Sequence, residues 1–216
     1  MVGQSKAAGA VATILVCGAL LASGCSTDRE VTRPEPVPVD EELLTGALLT
    51  ADDVPPPYAL AEGAAPLGPE LVSEHACDDS LKELEPEETA SATFTGAGLD
   101  TTLTNTISYY PGQGAQVGDL YSALLDDCEQ AVVGDAGVRF TTEPLDFGVL
   151  SDDTLPLVVV VEHDDGTIEE RNLIVMRTGD IVSTIRLDGP RPTDLDTLDT
   201  VTRVALGNLG LLEQST

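Results

Sequence analysis

Hydrophobic and polar positions divide the chain into three parts. An apolar run extends from Ala7 to Ala22, interrupted by Thr13 and small residues. The stretch from Ser26 to Asp40 then carries prolines at 34, 36 and 38 and has almost nothing to bury. From residue 41 onward, helical and strand patterns alternate with turn signals, which predicts one folded domain over 41–216.

Helical spacing predicts two longer helices and several short elements. Over 115–130, apolar residues at steps of three and one share a face: Val117, Leu120, Tyr121, Leu124, Leu125 and Cys128. A final helix follows Pro192, with Thr193 as the expected N-cap. Its apolar face carries Leu195, Leu198, Val201, Ala205, Leu209 and Leu212. Short helices are expected near 41, near 50 with Thr50 as N-cap, and around 78–85, with a strand near 58–62.

Strand patterns dominate the rest of the domain. The stretches "TASATFTGA" and "TTLTNTISYY" are rich in Thr and β-branched residues. "LPLVVVVEH" is continuously apolar, as expected of an inner strand covered on both faces. Turns at "DDG" and "TGD" join it to two further strands in an antiparallel meander. The predicted fold class is α+β, a twisted antiparallel sheet with helices packed against it.

Residues 1–24 have the organisation of a lipoprotein signal peptide. Lys6 precedes about 16 apolar residues, fewer than the roughly 20 that a spanning helix needs. The segment "LLASGC" resembles the bacterial lipobox, in which the cysteine, here Cys25, receives a diacylglyceryl thioether. Ala22 stands where the lipobox prefers Leu. The alternative is an ordinary secretory signal that is cut nearby.

Residues 25–40 are then a lipidated N-terminus followed by a proline-rich tether. Alternating prolines favour an extended chain with roughly 3.1 Å of reach per residue, so about 15 residues reach roughly 45 Å. The expected location is the extracytoplasmic face of the cell membrane, with the lipid as the attachment.

Four cysteines occur in the sequence. Cys17 lies in the signal and Cys25 is the expected lipid site, which leaves Cys77 and Cys128. An exported chain with two remaining thiols is expected to bridge them. The alternative is a pair of buried free thiols.

Charge excludes some classes of partner. The formal net charge is −28, which opposes binding to nucleic acid or to an anionic membrane surface. The acidity either keeps an exposed protein soluble or binds cations and basic partners. Because aromatic residues make up 3% of the chain and Trp is absent, a sugar-stacking site is not expected.

No catalytic or metal site is predicted from motifs. His75 and His163 are the only histidines, and no second Cys/His pair follows at zinc spacing. "EHDDGTIEE" fails the calcium-loop template, since Val161 and Asn172 occupy its first and last positions. No nucleophile elbow or phosphate loop is present. We therefore expect no enzyme activity, no cofactor and no metal requirement.

One loop is a candidate ligand site. In "YYPGQGAQVGD", flexible backbone leads into a helix whose first amides need partners. The predicted ligand-binding residues are Tyr109, Tyr110, Gly112 and Gly114. The alternative is a simple helix entry without a ligand.

The chain resembles a known family. A lipobox, a proline tether, "ALLTADDVP", "ISYYPGQGAQVGDLYSALLDDC" and "RTGDIVSTIRLDG" before a terminal helix are similar to actinobacterial sensor-domain lipoproteins and to the extracellular domain of PknH-type serine/threonine kinases. The resemblance covers roughly residues 42 to 213. It implies an α+β domain with disulfides across the cleft side. The kinase-type domain has two disulfides, whereas this mature chain has cysteines for one.

Two functions follow as expectations. The first is a lipid-anchored, non-enzymatic sensor domain that binds a small ligand or an envelope protein in a groove between sheet and helices. The alternative is a scaffolding envelope lipoprotein that presents its acidic surface to a partner protein.

Replacement of Cys25 with Ala is predicted to release the protein from the membrane fraction, because the lipid is the expected attachment. Fractionation and mass measurement of the mature N-terminus check this. Retention of the variant in the membrane with an uncut signal would show a helical anchor instead.

Cys77 and Cys128 are predicted to form a disulfide in the exported protein. In the chain-entropy model, a bridge closing about 50 residues contributes about 4 kcal/mol, less any strain. Non-reducing peptide mapping should recover the two peptides linked. Recovery of freely alkylated Cys128 from folded protein contradicts the pairing.

Overall fold

An antiparallel sheet of eight strands organises the described part of the chain, in the order β1-β2-β3-β8-β7-β6-β5-β4. The strands are β1 (Tyr58–Leu60), β2 (Glu88–Gly96), β3 (Thr102–Tyr109), β4 (Ala131–Val133), β5 (Val138–Pro144), β6 (Thr154–Glu162), β7 (Ile168–Thr178) and β8 (Ile181–Pro190). The helices within the same residues are α1 (Glu41–Gly46), α2 (Gly114–Asp127) and α3 (Leu195–Glu213). The expected α+β class, an antiparallel sheet with helices against it, is confirmed.

The structure is a computed structural model that describes residues 38–61, 84–127, 131–133, 138–147, 151, 153–190 and 194–214. The signal peptide, Cys25, nearly all of the tether, His75 and the predicted Cys77–Cys128 bridge lie outside these residues. The division into 1–24, 25–40 and 41–216 therefore stays a prediction. None of the helices in the described ranges combines the length and apolarity needed to cross a bilayer.

Helices pack on both faces of the sheet. On one face, α1 and α3 enclose a cluster that we call the α1–α3 core. It includes Leu44, Phe94, Leu103, Ile107, Ile174, Ile185, Leu198, Val201 and Leu209. On the other face, α2 covers the α2 core, which includes Tyr110, Val117, Tyr121, Leu157, Leu173, Val175 and Val182. Aliphatic side chains supply most of both cores, as expected for a chain without Trp.

The pairing of β3 with β8 joins the first three strands of the domain to the strands that follow α2. Its register places Tyr109 opposite Ile181 and Asn105 opposite Ile185. Asn105 is fully buried in the α1–α3 core. Its side-chain oxygen accepts from the Leu49 amide at 3.0 Å, and its amide nitrogen lies 3.3 Å from Ser183 Oγ. One polar side chain thus links the segment after α1 to two central strands.

Most predicted elements are confirmed. The meander is β6-β7-β8, and Gly166 and Gly179 take positive φ in its two turns, as the "DDG" and "TGD" signals indicated. Within α3, Leu198, Val201, Ala205, Leu209 and Leu212 are buried as expected.

Three local predictions are corrected by the structure. The N-cap of α3 is Asp194, whose carboxylate accepts from the Thr197 amide at 3.0 Å. Leu195 is 40% exposed and does not belong to the buried face. Thr50 starts a turn rather than a helix, because its own amide and hydroxyl both donate to Asp53 Oδ2, at 2.8 and 2.7 Å.

Gly114 lets the start of α2 approach the turn between β7 and β8. A Cβ atom built on Gly114 would lie 2.2 Å from the Gly179 carbonyl oxygen and 2.7 Å from Asp180 Cα. Both neighbours are backbone atoms, so neither can move aside as a flexible side chain would. Only glycine fits here without shifting one element.

Gly114→Ala is therefore predicted to lower the free energy of unfolding by about 1–3 kcal/mol through overpacking. Gly207→Ala is the matched control, since Gly207 is an exposed α3 residue with open space around its Cβ position. That variant should be about 0.5–1 kcal/mol more stable, from helix propensity alone. Denaturant unfolding checks both. Equal effects of the two variants would contradict the close approach.

Candidate functional site

The loop before α2 is held by Asp180. The Gly112 amide donates to Asp180 Oδ2 at 2.8 Å, and the Gly114 amide lies 3.3 Å from Oδ1. The Tyr110 amide donates to the Asp180 carbonyl at 2.8 Å. The carboxylate therefore occupies the position in which a bound anion would meet these amides. An anion at these amides has to displace Asp180.

The four residues predicted to bind a ligand do not share one surface. Tyr109 packs against the α1–α3 core, whereas Tyr110 is buried in the α2 core. Burial raises the pKa of the Tyr110 hydroxyl, and a hydrogen bond with Ser108 opposes that rise. Gly112 is exposed and Gly114 is buried. Their assignment as ligand-binding residues stays a prediction.

A groove of about 280 Å³ lies directly after this loop, between α2 and the sheet. We call it the α2 groove. Its lining residues are Ala115, Gly118, Asp119, Ser122, Asp153, Thr154, Leu155, Val175 and Arg177. The floor is continuous with the α2 core through Val175. The predicted loop is thus adjacent to the groove and supplies the start of its helical wall.

Arg177 is the cation among the residues that line the α2 groove. Its guanidinium pairs with the Asp153 carboxylate, and its amide donates to the Asp153 carbonyl at 3.1 Å. The Arg177 side chain is 30% exposed, so part of it stays available to a ligand. Its Cδ and Nε atoms pass 3.6 and 3.5 Å from the Cβ position of Gly118. A side chain at Gly118 would narrow the groove.

Ser122 is the serine that lines the α2 groove. Ser122 donates its hydroxyl to the Gly118 carbonyl at 3.1 Å, inside the helix. Within the described residues, the histidine is His163, which follows the far end of β6. Because nine residues of strand span roughly 30 Å, His163 is remote from Thr154. No imidazole base is therefore near the Ser122 hydroxyl in this part of the chain.

A hydroxyl-rich surface covers β2 and β3 on the face that α2 shares. Pairs of Thr and Ser lie opposite each other in register: Thr89 with Ser108, Ser91 with Thr106, Thr93 with Thr104, and Thr95 with Thr102. Thr104, Thr106 and Ser108 are buried, with 3–5% exposure. The alternation in "TASATFT" and "TTLTNTIS" signals this surface, whereas the strands were predicted from the Thr and β-branched content of these stretches.

Arg186 and Asp188 extend this surface onto β8. Arg186 Nε lies 2.9 Å from Asp188 Oδ2, and the two side chains are 18% and 26% exposed. Burial raises the pKa of the Asp188 carboxyl, and this effect outweighs the opposing charges of Arg186 and Arg171. Within the described chain, Thr104 Oγ1 and Asp188 Oδ1 have no hydrogen-bond partner. Arg186 therefore offsets only part of the cost of burying the Asp188 carboxylate.

A second groove lies on the opposite face of the sheet. It has a volume of about 460 Å³ and is bounded by α1 and the end of α3. We call it the α1–α3 groove. Its lining residues are Asp40, Glu42, Leu43, Gly46, Ala47, Asn208, Leu211 and Leu212. None of these residues was predicted as a site residue from the sequence, because α1 and α3 are far apart in the chain.

The fold has a solved counterpart. The extracellular domain of PknH from Mycobacterium tuberculosis matches with a TM-score of 0.54 and 13% sequence identity, over 83% of this chain and 100% of that domain. The two domains share a fold. No family model and no curated protein sequence matches the chain. The fold that the family resemblance implied is confirmed at this level.

The raised pKa of Asp188 predicts how the stability of the fold changes with pH. Because the folded pKa exceeds the unfolded value of 3.8, the folded protein binds the proton more tightly. This contribution to stability is present at low pH and is lost as pH rises through the folded pKa. Asp188→Asn removes the titration, so stability of the variant relative to the wild type should increase between about pH 3 and about pH 7.

Asp199→Asn is the control with the opposite sign. The hydrogen bond and charge of Arg203 lower the pKa of Asp199. Its contribution is therefore present above the unfolded pKa and is lost as pH falls. Relative to the wild type, this variant should lose stability over the same rise in pH. Urea unfolding at a series of pH values tests both variants. If stability relative to the wild type changes with pH in the same direction for both, the assignment is contradicted.

Proposed function

We propose that this chain is an extracytoplasmic, sensor-like domain that is held at the cell membrane by a lipid on Cys25 and binds a small ligand in the α2 groove. The fold shared with the extracellular domain of PknH supports an extracytoplasmic role. The lipobox-like segment and the proline-rich stretch support the anchor and the tether.

The observation that carries the ligand proposal is the way the α2 groove is built. Its helical wall starts at a loop whose amides are tied to Asp180, and its opposite wall is two strands of the sheet. Sites on rigid elements hold their contacts in place without a large ordering cost. Arg177 supplies one charged contact, and Leu155 and Val175 supply apolar surface.

The proposal includes no catalytic step. Arg177 and Asp153 neutralise each other, and Ser122 is bonded within its own helix. Neither arrangement activates a nucleophile, which needs a base within hydrogen-bond reach. Binding followed by a change in contacts with another protein is the simplest use of such a groove.

A titration of the purified protein with cell-wall fragments and lipids tests the proposal. Backbone amide shifts should saturate at residues 109–122, 153–155 and 175–177. Because a scaffold without a ligand site gives no saturable small-molecule response, the same experiment separates the proposal from the scaffolding alternative.

Gly118→Gln is predicted to abolish that response, because its side chain enters the groove beside Arg177. Gly207→Gln is the matched control, since it makes the same change on α3 where the Cβ position is open. The control should bind as the wild type does. A saturable response that survives Gly118→Gln, or that maps only to distant residues, rejects this groove as the site.

A further inference from the structure

The α1–α3 groove combines an apolar floor with an acidic rim. Leu211 is the most exposed large apolar side chain among the described residues, at 64%. Leu43, Ala47 and Leu212 continue the apolar surface into the core. Asp40 and Glu42 stand at the edge. An exposed apolar patch with a charged rim is typical of a protein interaction site.

The charge at the rim of the α1–α3 groove indicates the charge of the ligand that would bind there. The lining residues include two carboxylates and no cation. The groove also lies beside the C-terminal turn of α3, which contains no basic residue and ends in carbonyls with a partial negative charge. With a net charge of −28, the chain as a whole adds to this field. An anionic ligand is therefore disfavoured here, and a cationic one is favoured.

The position of the groove between α1 and α3 suits a peptide that lies along the two helices. A volume of about 460 Å³ accommodates a few side chains, and the groove runs between two helices. Gly46 leaves its centre open, because a Cβ atom there would meet nothing within 4 Å. Apolar side chains on one face of a helix fill such grooves, while charges at the edges set the orientation.

We propose that the α1–α3 groove binds a cationic amphipathic helix of a partner protein, with Leu211 as the apolar anchor and Glu42 as a charged contact. The site is on the opposite face of the sheet from the α2 groove, so it does not rest on the ligand-binding proposal. Asp40 is the last residue of the predicted tether, so the proposed partner would bind where the tether joins the folded domain.

The test uses the purified full chain and a synthetic amphipathic helical peptide of leucine and lysine. Amide shifts should map to residues 40–47 and 208–212, with saturable binding. A peptide of the same composition in scrambled order keeps the charge but loses the apolar face. The scrambled peptide should bind much more weakly, and its amide shifts should not concentrate at residues 40–47 and 208–212. Equal binding of the two peptides would show charge attraction alone and would overturn the proposal.

Two matched pairs of variants locate the contacts. Leu211→Ser should weaken binding by roughly tenfold, because it removes a side chain that becomes buried on binding. Leu195→Ser makes the same change at the other end of α3, where Leu195 is 40% exposed, and should have little effect. Glu42→Gln should weaken binding several-fold, whereas Glu41→Gln, in the same helical turn but outside the groove, should not.

Sedimentation velocity completes the test. A monomer without peptide and a one-to-one complex with peptide are expected. A dimer that dissociates on Leu211→Ser would assign the groove to a second copy of this chain and overturn the proposal. Equal losses from Leu211→Ser and Leu195→Ser would also reject it, because the effect would then not be specific to the groove.

Discussion

The pairing of β3 with β8 is the constraint on which the rest of the structure depends. Its register sets Tyr109 opposite Ile181, so the Asp180 carboxylate meets the amides of the loop that follows β3. The same pairing brings Ser183 to Asn105 inside the α1–α3 core. Without it, α2 would have no defined starting point and the two halves of the sheet would not be continuous. A buried amide and a buried strand pairing are both costly to leave unsatisfied, which makes this register specific.

Asp180 uses the chemistry that binds anions at helix N-termini to stabilise the fold. Its two carboxylate oxygens accept hydrogen bonds from the loop amides, and Gly114 leaves room for α2 to approach the turn between β7 and β8. The consequence is a rigid wall beside the α2 groove rather than an open anion site. In the proposed function, ligand contacts therefore come from side chains further along α2 and on β6–β7, with Arg177 as their charged member.

Packing helices on both faces gives the domain two separate surfaces with different chemistry. The α2 groove pairs its cation with a carboxylate, whereas the α1–α3 groove has carboxylates alone at its edge. The hydroxyl-rich strands and the Arg186–Asp188 pair form a third polar region. Burial raises the pKa of the Asp188 carboxyl there. The two proposals place a ligand on one face of the sheet and a partner protein on the other.

Local patterns determined much of this protein from sequence alone. The Thr and β-branched content of "TASATFTGA", the continuous apolar run from Leu155 and the turn glycines predicted the strands and the meander, because these signals depend on neighbouring residues only. Both grooves, the role of Asp180 and the exposure of Leu195 were decided by the tertiary structure. The two grooves and the contacts of Asp180 each bring together residues that are far apart in sequence, with 68 positions between Gly112 and Asp180. Periodicity reports which face of an element is apolar, but it carries no information on which distant element covers that face.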